Sequence, residues 1–375
     1  MTRIAFLYII NPMKTIINNE RIKLARESRG FSQSALAKSM KTISQSMLSK
    51  IEKGFAECSE ETLIELSHLL NYPTSFFYKK HQAYQIKEFY YRKNLSTTIT
   101  KNKILEAKIN IISSHISELL DNVELDVDLP YTDIRDKELT PDRFAEQVRS
   151  YFKLPKGPIE NLIKVLEKRG VVIHFVDFDE TYKFSGINFH TKDGIPVILV
   201  NSNHPNSRKI FTIAHELGHL LMHENFIVSD DMKMIETEAN SFASNFLMPR
   251  ADIKADLYGF SETNLASLKK YWKVSIQALT YRAKSLGVLT SDQYRRWVTK
   301  FNYYGWRKKE PFEFIIGEPN LLSKMLLLHF EDLEYSKNEM LNMFGLNEKE
   351  FNEYYDLEQI AKYTGNKIRK IRIAL

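Results

Sequence analysis

The chain has 375 residues, 43% of them hydrophobic, enough for two or three domains with real cores. Its 53 Lys and Arg against 47 Asp and Glu leave +6, a mild excess that permits nucleic-acid binding without requiring it. The single cysteine, Cys58, excludes an internal disulfide or a cysteine metal cluster and fits a reducing, cytoplasmic setting, and no apolar run is long enough to span a membrane.

At the start of the chain, Ile4 to Ile10 is apolar but short for a signal peptide, and no small-residue cleavage site follows. Residues 1–17 read instead as a leader before a natural start at Met13. Residues 18–80 form a compact run of short helices. Gly30 and Gly54 end two of them, and Ser32 and Ser59 stand as N-caps. Glu60 and Glu61 sit in a first turn, where they suit the helix dipole. Leu24, Leu36, Met47, Ile51, Leu63, Leu66 and Leu69 supply the expected core.

Residues 81–139 read as a helical linker: a polar, basic stretch, a long helix near 101–121, and an acidic, aperiodic segment at 122–139. Thr140-Pro141 then looks like an N-cap with proline at the first helical position. Pro158 opens a further helix that Gly170 ends. The β-branched runs 171–178 and 195–201 read as strands, with 184–190 a weaker third. Two helices follow, near 206–223 and 235–247. Helices flanking a few strands make residues 140–260 an α+β domain. Residues 261–375 read as a helical C-terminal region. In it, Trp272, Val274, Leu279, Ala283 and Leu286 suggest a second small helical unit, and the terminal KIRKIRIAL alternates basic and apolar residues.

The strongest chemical signal is AHELGHLLMHE at 214–224. Within it His215, Glu216 and His219 form H-E-x-x-H. Two histidines four apart project from one helix face, close enough to share a metal ion. Glu216 is placed to take a proton from a water on such an ion. Phe211, Ile213, Ala214, Leu217, Leu220 and Leu221 make this a buried helix, where two imidazoles and a carboxylate would be costly without a metal. Zn2+ needs a third protein ligand. Glu236 is the choice, because it shares a face with Asn240, Ala243 and Leu247, and small Ala239 and Ala243 allow close approach. Asn240 would fix a ligand histidine through its second ring nitrogen. Glu238 is expected to point away, in line with Phe242 and Phe246, as a solvated or salt-bridged carboxylate. His223 is expected to hydrogen-bond near the helix end rather than bind metal.

Residues 208–219 (RKIFTIAHELGH), the following ExxANxFAxxFLMP at 236–249 and the preceding strand resemble the ImmA/IrrE family of metallopeptidases over about residues 140–300. Arg208, Phe211, Thr212 and Gly218 also sit where that pattern expects them. The resemblance implies a zincin-like domain that cleaves a repressor-type protein and so relieves repression. Tyr182, His190 and Arg208 are the candidates for stabilising the tetrahedral oxyanion.

The segment 20–77 resembles the XRE, or lambda-repressor-like, helix-turn-helix family through SQxxLA followed by SxxxLSKIExG. By that resemblance 44–53 would enter the major groove, with Gln33, Gln45, Ser46 and Lys50 facing an operator duplex. Lys41-Thr42 stands where one glycine is usual, and Cys58 where proline is common. Residues 14–80 carry eleven Lys and Arg against seven Asp and Glu, a net +4 that fits modest affinity or a need to form a homodimer.

Together these features predict a DNA-binding zinc endopeptidase whose substrate is a repressor-like protein. The competing readings are a non-proteolytic regulator with a structural zinc site and an antitoxin-like partner of a toxin. An intact Glu216 favours the enzyme, since a structural site needs no general base.

Overall fold

The computed structural model describes residues 16–80, 99–135, 138–178, 185–223 and 232–355. The N-terminal leader, Tyr182 and the terminal KIRKIRIAL lie outside these residues. The described chain is mostly helical, with one three-stranded sheet, and divides into two compact units.

The first unit contains helices Asn19–Ser28, Gln33–Ser39, Gln45–Glu52 and Glu60–Leu70, and a 3-10 turn at Thr74–Tyr78. Each of the four α-helices begins on a side chain that accepts from its first turn: Asn18, Ser32, Ser44 and Ser59. These caps satisfy amides that the helix itself leaves without partners. Leu24, Leu36, Ile51, Leu63 and Leu66 are buried as expected. Met47 and Leu69 are not: they are 40% and 36% exposed, and their neighbours Leu48 and Leu70 are fully buried in their place. One residue is a 100° step around a helix, so an error of one position swaps core for surface.

The buried Arg26 guanidinium joins the first helix to the third, meeting Glu52 at 2.6 and 2.9 Å. The longer turn at Lys41-Thr42 is tied down by Glu65, which accepts from both backbone amides at 2.6 and 3.0 Å. The same unit includes residues 99–118 of helix Ile99–Leu120, within the segment read as a linker, and helices Lys337–Phe344 and Glu348–Tyr355. Arg21 donates to Ser114, Arg29 pairs with Glu350 at 2.6 Å, and the fully buried His115 ring meets the Tyr355 hydroxyl at 2.7 Å.

The second unit holds the sheet: β1 (Val172–Val176), β2 (Gly186–His190) and β3 (Pro196–Asn201), in the order β1-β3-β2. β1 runs parallel to β3, and β2 antiparallel to it with Asn188 opposite Ile198. Helix Pro141–Tyr151 starts on the Thr140 cap with proline in its first turn, as predicted. Helix Leu162–Glu167 starts later than the sequence suggests. Asn161, not Pro158, caps it. The motif helix is Asn206–Met222, and the glutamate helix that packs on it is Met232–Leu247. Arg149 pins the end of the glutamate helix by donating to Phe246 O, Pro155 O and Gly157 O, each at 2.8 Å. Trp272, Val274, Leu279, Ala283 and Leu286 do not form a separate helical unit. They join one continuous core with Ile198, Leu217 and Phe242.

Candidate metal centre

The motif helix buries Ile213, Ala214, Leu217, Leu220 and Leu221 against the core, so its opposite face is fixed in direction. His215 and His219 leave from that other face one turn apart. The glutamate helix can come close because Ala239 and Ala243 are fully buried and small, and because residue 218 is glycine. A Cβ on Gly218 would lie 2.9 Å from Cδ1 of Phe242, inside the contact distance of real side chains.

Glu236 thereby meets both histidines. The His215 and His219 Nε2 atoms are 3.0 Å apart, and the Glu236 oxygens lie 3.3 Å from the first and 3.4 Å from the second. A tetrahedral zinc site with bonds of ~2.0–2.1 Å has ligand–ligand edges of ~3.3 Å, and one ligand atom from each of the three side chains lies within 4.8 Å of the others, close enough to share an ion. Two further observations fit a cation. Glu236 Oε1 is buried without a hydrogen-bond partner, although its carboxylate is acceptor-only. The two Nε2 atoms converge on each other while both Nδ1 atoms have outward partners. Burial opposes ionisation of Glu236, yet the His215 and His219 rings beside it hold its carboxyl well below the usual carboxylate range. Among the described residues this trio is the only His, Cys, Asp and Glu cluster with such spacing.

Asn240 stands where the sequence placed it, with Oδ1 3.1 Å from His215 Nδ1. Glu238 is a salt-bridged carboxylate, and its partner is the histidine behind His219: its Oε2 is 3.0 Å from His223 Nε2, and His223 Nδ1 is 3.1 Å from His219 Nδ1. Burial holds the His223 pKa below the ordinary imidazole value, against the raising pull of Glu238.

Glu216 is 1% exposed, and Asn188 Nδ2 donates to its Oε2 at 2.7 Å. Asn188 was missed in the sequence. Alternation along β2 puts Gly186, Asn188 and His190 on one face, and a Cβ on Gly186 would sit 3.4 Å from Glu216 Oε1 and 2.4 Å from a Thr212 methyl. A polar residue between Ile187 and Phe189 was the available signal. Of the oxyanion candidates, Tyr182 lies outside the described residues. Arg208 donates to Ser185 Oγ at 2.7 Å, and His190 Nε2 lies 3.3 Å from the Tyr131 hydroxyl.

In the first unit, Gln45, Ser46 and Lys50 are exposed on helix Gln45–Glu52. Gln33 is half-buried; it donates to Glu52 at 2.7 Å and accepts from Gln45 Nε2 at 3.4 Å.

Residues 166–284 match the family model of the IrrE N-terminal-like domain, and residues 22–77 match that of a helix-turn-helix. The chain is a fusion of a helix-turn-helix with an IrrE N-terminal-like domain. The match to the IrrE N-terminal-like domain, a metallopeptidase family, covers all three converging side chains and Glu216. The helix-turn-helix match supports DNA binding and covers the capped helices of the first unit. No curated protein matches the chain. No helix among the described residues is long and apolar enough to cross a membrane.

Proposed function

We propose that the protein is a cytoplasmic, DNA-binding zinc endopeptidase that cleaves a repressor-type protein and so switches transcription. The observation that carries this reading is the convergence of His215, His219 and Glu236 beside a buried Glu216.

His215, His219 and Glu236 would hold one Zn2+, leaving a position open for water. Such an ion lowers the pKa of a bound water towards ~7 and polarises a substrate carbonyl. Glu216 takes the proton from the water that attacks the scissile carbonyl, then passes it to the departing amine. Asn188 keeps the Glu216 carboxylate turned for that transfer by donating to its Oε2. Asn240 orients the His215 ring.

Gln45, Ser46 and Lys50 would contact an operator from helix Gln45–Glu52, with Gln33 bracing Gln45. Carrying both functions on one chain would raise the local concentration of peptidase near an operator-bound repressor. A homodimer would add affinity to the modestly basic helix-turn-helix.

The test is to incubate zinc-loaded protein with repressor-like proteins from its own cell and look for discrete fragments. Glu216→Gln keeps the shape but removes the base, and it should retain zinc while cleavage disappears. Full cleavage by that variant contradicts the mechanism. Zinc retention without any cleavage by the wild type favours the structural-zinc regulator.

A further inference from the structure

The two histidines of the trio are backed by different partners. His215 has the neutral Asn240 amide behind its Nδ1. His219 has a second histidine, and behind that a carboxylate. We infer that His223 and Glu238 are positioning residues: a histidine–carboxylate relay that orients His219 and strengthens its hold on a metal. This rests on the metal reading given above.

Proton placement sets the direction of the chain. A histidine that presents a lone pair at Nε2 carries its proton at Nδ1. His219 Nδ1–H therefore donates to the atom 3.1 Å away, His223 Nδ1, which must accept. His223 then carries its own proton on Nε2, and that proton points at Glu238 Oε2, 3.0 Å distant. Each nitrogen has one role, and the chain of donors runs in one direction, from metal ligand to carboxylate. The reverse arrangement would leave His219 with Nε2–H, facing His215 Nε2 at 3.0 Å and unable to bind a metal.

Burial favours the relay over a surface ion pair. The side chains of His223 and Glu238 are 4% and 11% exposed. His223 is the C-cap of the motif helix, and its own amide bonds to His219 O at 3.0 Å. Its ring packs on that of His219 with centroids 5.1 Å apart. A carboxylate beside a helix C-terminus meets the negative end of the dipole and is disfavoured there. Glu238 is nonetheless buried at this end, and the donor that compensates it is His223 Nε2. A carboxylate at the far end of such a chain fixes ring orientation and raises the electron density on the ligand nitrogen.

The test reads zinc affinity, by competition with a chelator, in the full-length protein and variants. Glu238→Ala and His223→Ala should each weaken zinc binding by ~10-fold or more, the scale on which outer partners of metal ligands act. Because the two act in series through His219, the double variant should be no weaker than His223→Ala, within ~2-fold. Asn240→Ala acts on the other histidine, so its loss should multiply with that of His223→Ala. Glu238→Gln keeps the shape and an acceptor oxygen, and it should fall between the wild type and Glu238→Ala. That partial recovery separates the relay from general damage to the fold. Zinc binding by Glu238→Ala that equals the wild type, or losses that multiply in the His223–Glu238 double variant, would overturn the relay alone. A wild-type protein that takes up no zinc would overturn the metal reading together with it.

Discussion

Asn188 on β2 donates from its side-chain amide to Glu216 Oε2 on the motif helix, at 2.7 Å. Strand and helix are thus joined at Glu216, the acidic residue of the H-E-x-x-H motif. Asn188→Ala removes that donor without touching a proposed ligand. Zinc content should stay at the wild-type level while cleavage falls by ~10-fold or more, since a general base contributes ~10²–10⁴ and depends on orientation. Undiminished cleavage by Asn188→Ala would show that Glu216 is held by other means.

Gly218 is the small residue that admits the glutamate helix. Gly218→Ala would gain up to ~1 kcal/mol of helix propensity. It would also drive a methyl to 2.9 Å from Phe242, which is fully buried and stacked on Phe246. Overpacking of this kind costs ~1–3 kcal/mol, so the net change should be destabilising. A lowered unfolding midpoint for the metal-free protein checks this. A raised one would mean that Phe242 can yield.

In the first unit, Lys50 and Gln45 should separate affinity from specificity. Lys50→Ala should weaken operator and random duplex alike and reduce the slope of log affinity against log salt by ~1. Gln45→Ala should relax sequence preference, at a cost of ~1–3 kcal/mol on the preferred site only. Selection from random duplexes is the measurement. A fragment of residues 14–80 is not the right object for it, because Arg29–Glu350 and His115–Tyr355 tie later residues into the same unit. The full chain should be used, and absence of any preferred sequence would leave only a protein-contact role for this unit.

Much of the candidate metal centre is legible in the sequence because its residues are local. His215, Glu216 and His219 lie within one helix turn and a half, and Glu236 with Asn240 within one turn of the next helix. Asn188 and the His223–Glu238 contact are harder, since each depends on which face two separate elements present to each other. Met47 and Leu69 show the same limit on a smaller scale. Adjacent apolar residues, Met47-Leu48 and Leu69-Leu70, leave the inward position to be decided by packing. The return of residues 329–355 to the first unit has no local signature at all. It is made by contacts such as Asn347 Nδ2 to Asn71 O at 3.2 Å, across 276 positions of sequence.

His174 on β1 gives a pH prediction apart from the metal. Burial pushes its pKa down to about 4, and its Nε2 is buried. The folded value thus lies below the unfolded one of ~6.5. The neutral ring's contribution is complete above that unfolded value and is lost as pH falls towards the folded one, because the unfolded chain binds the proton first. The loss should reach up to about 2 kcal/mol by pH 5 at 1.36 kcal/mol per pKa unit. Denaturant unfolding of the metal-free wild type and His174→Gln, at pH 7 and pH 5, checks it. The variant should lose less stability between the two, and equal losses would remove His174 from the account.

The proposed zinc site draws its ligands from two helices. Elemental analysis of purified wild type and Glu236→Ala, after equilibration with the same modest excess of zinc and removal of the free ion, tests it most directly. The account predicts about one zinc per chain in the wild type and close to none in Glu236→Ala, because two histidines alone leave the tetrahedron a protein ligand short. Equal zinc in both proteins, or none in either, would contradict it.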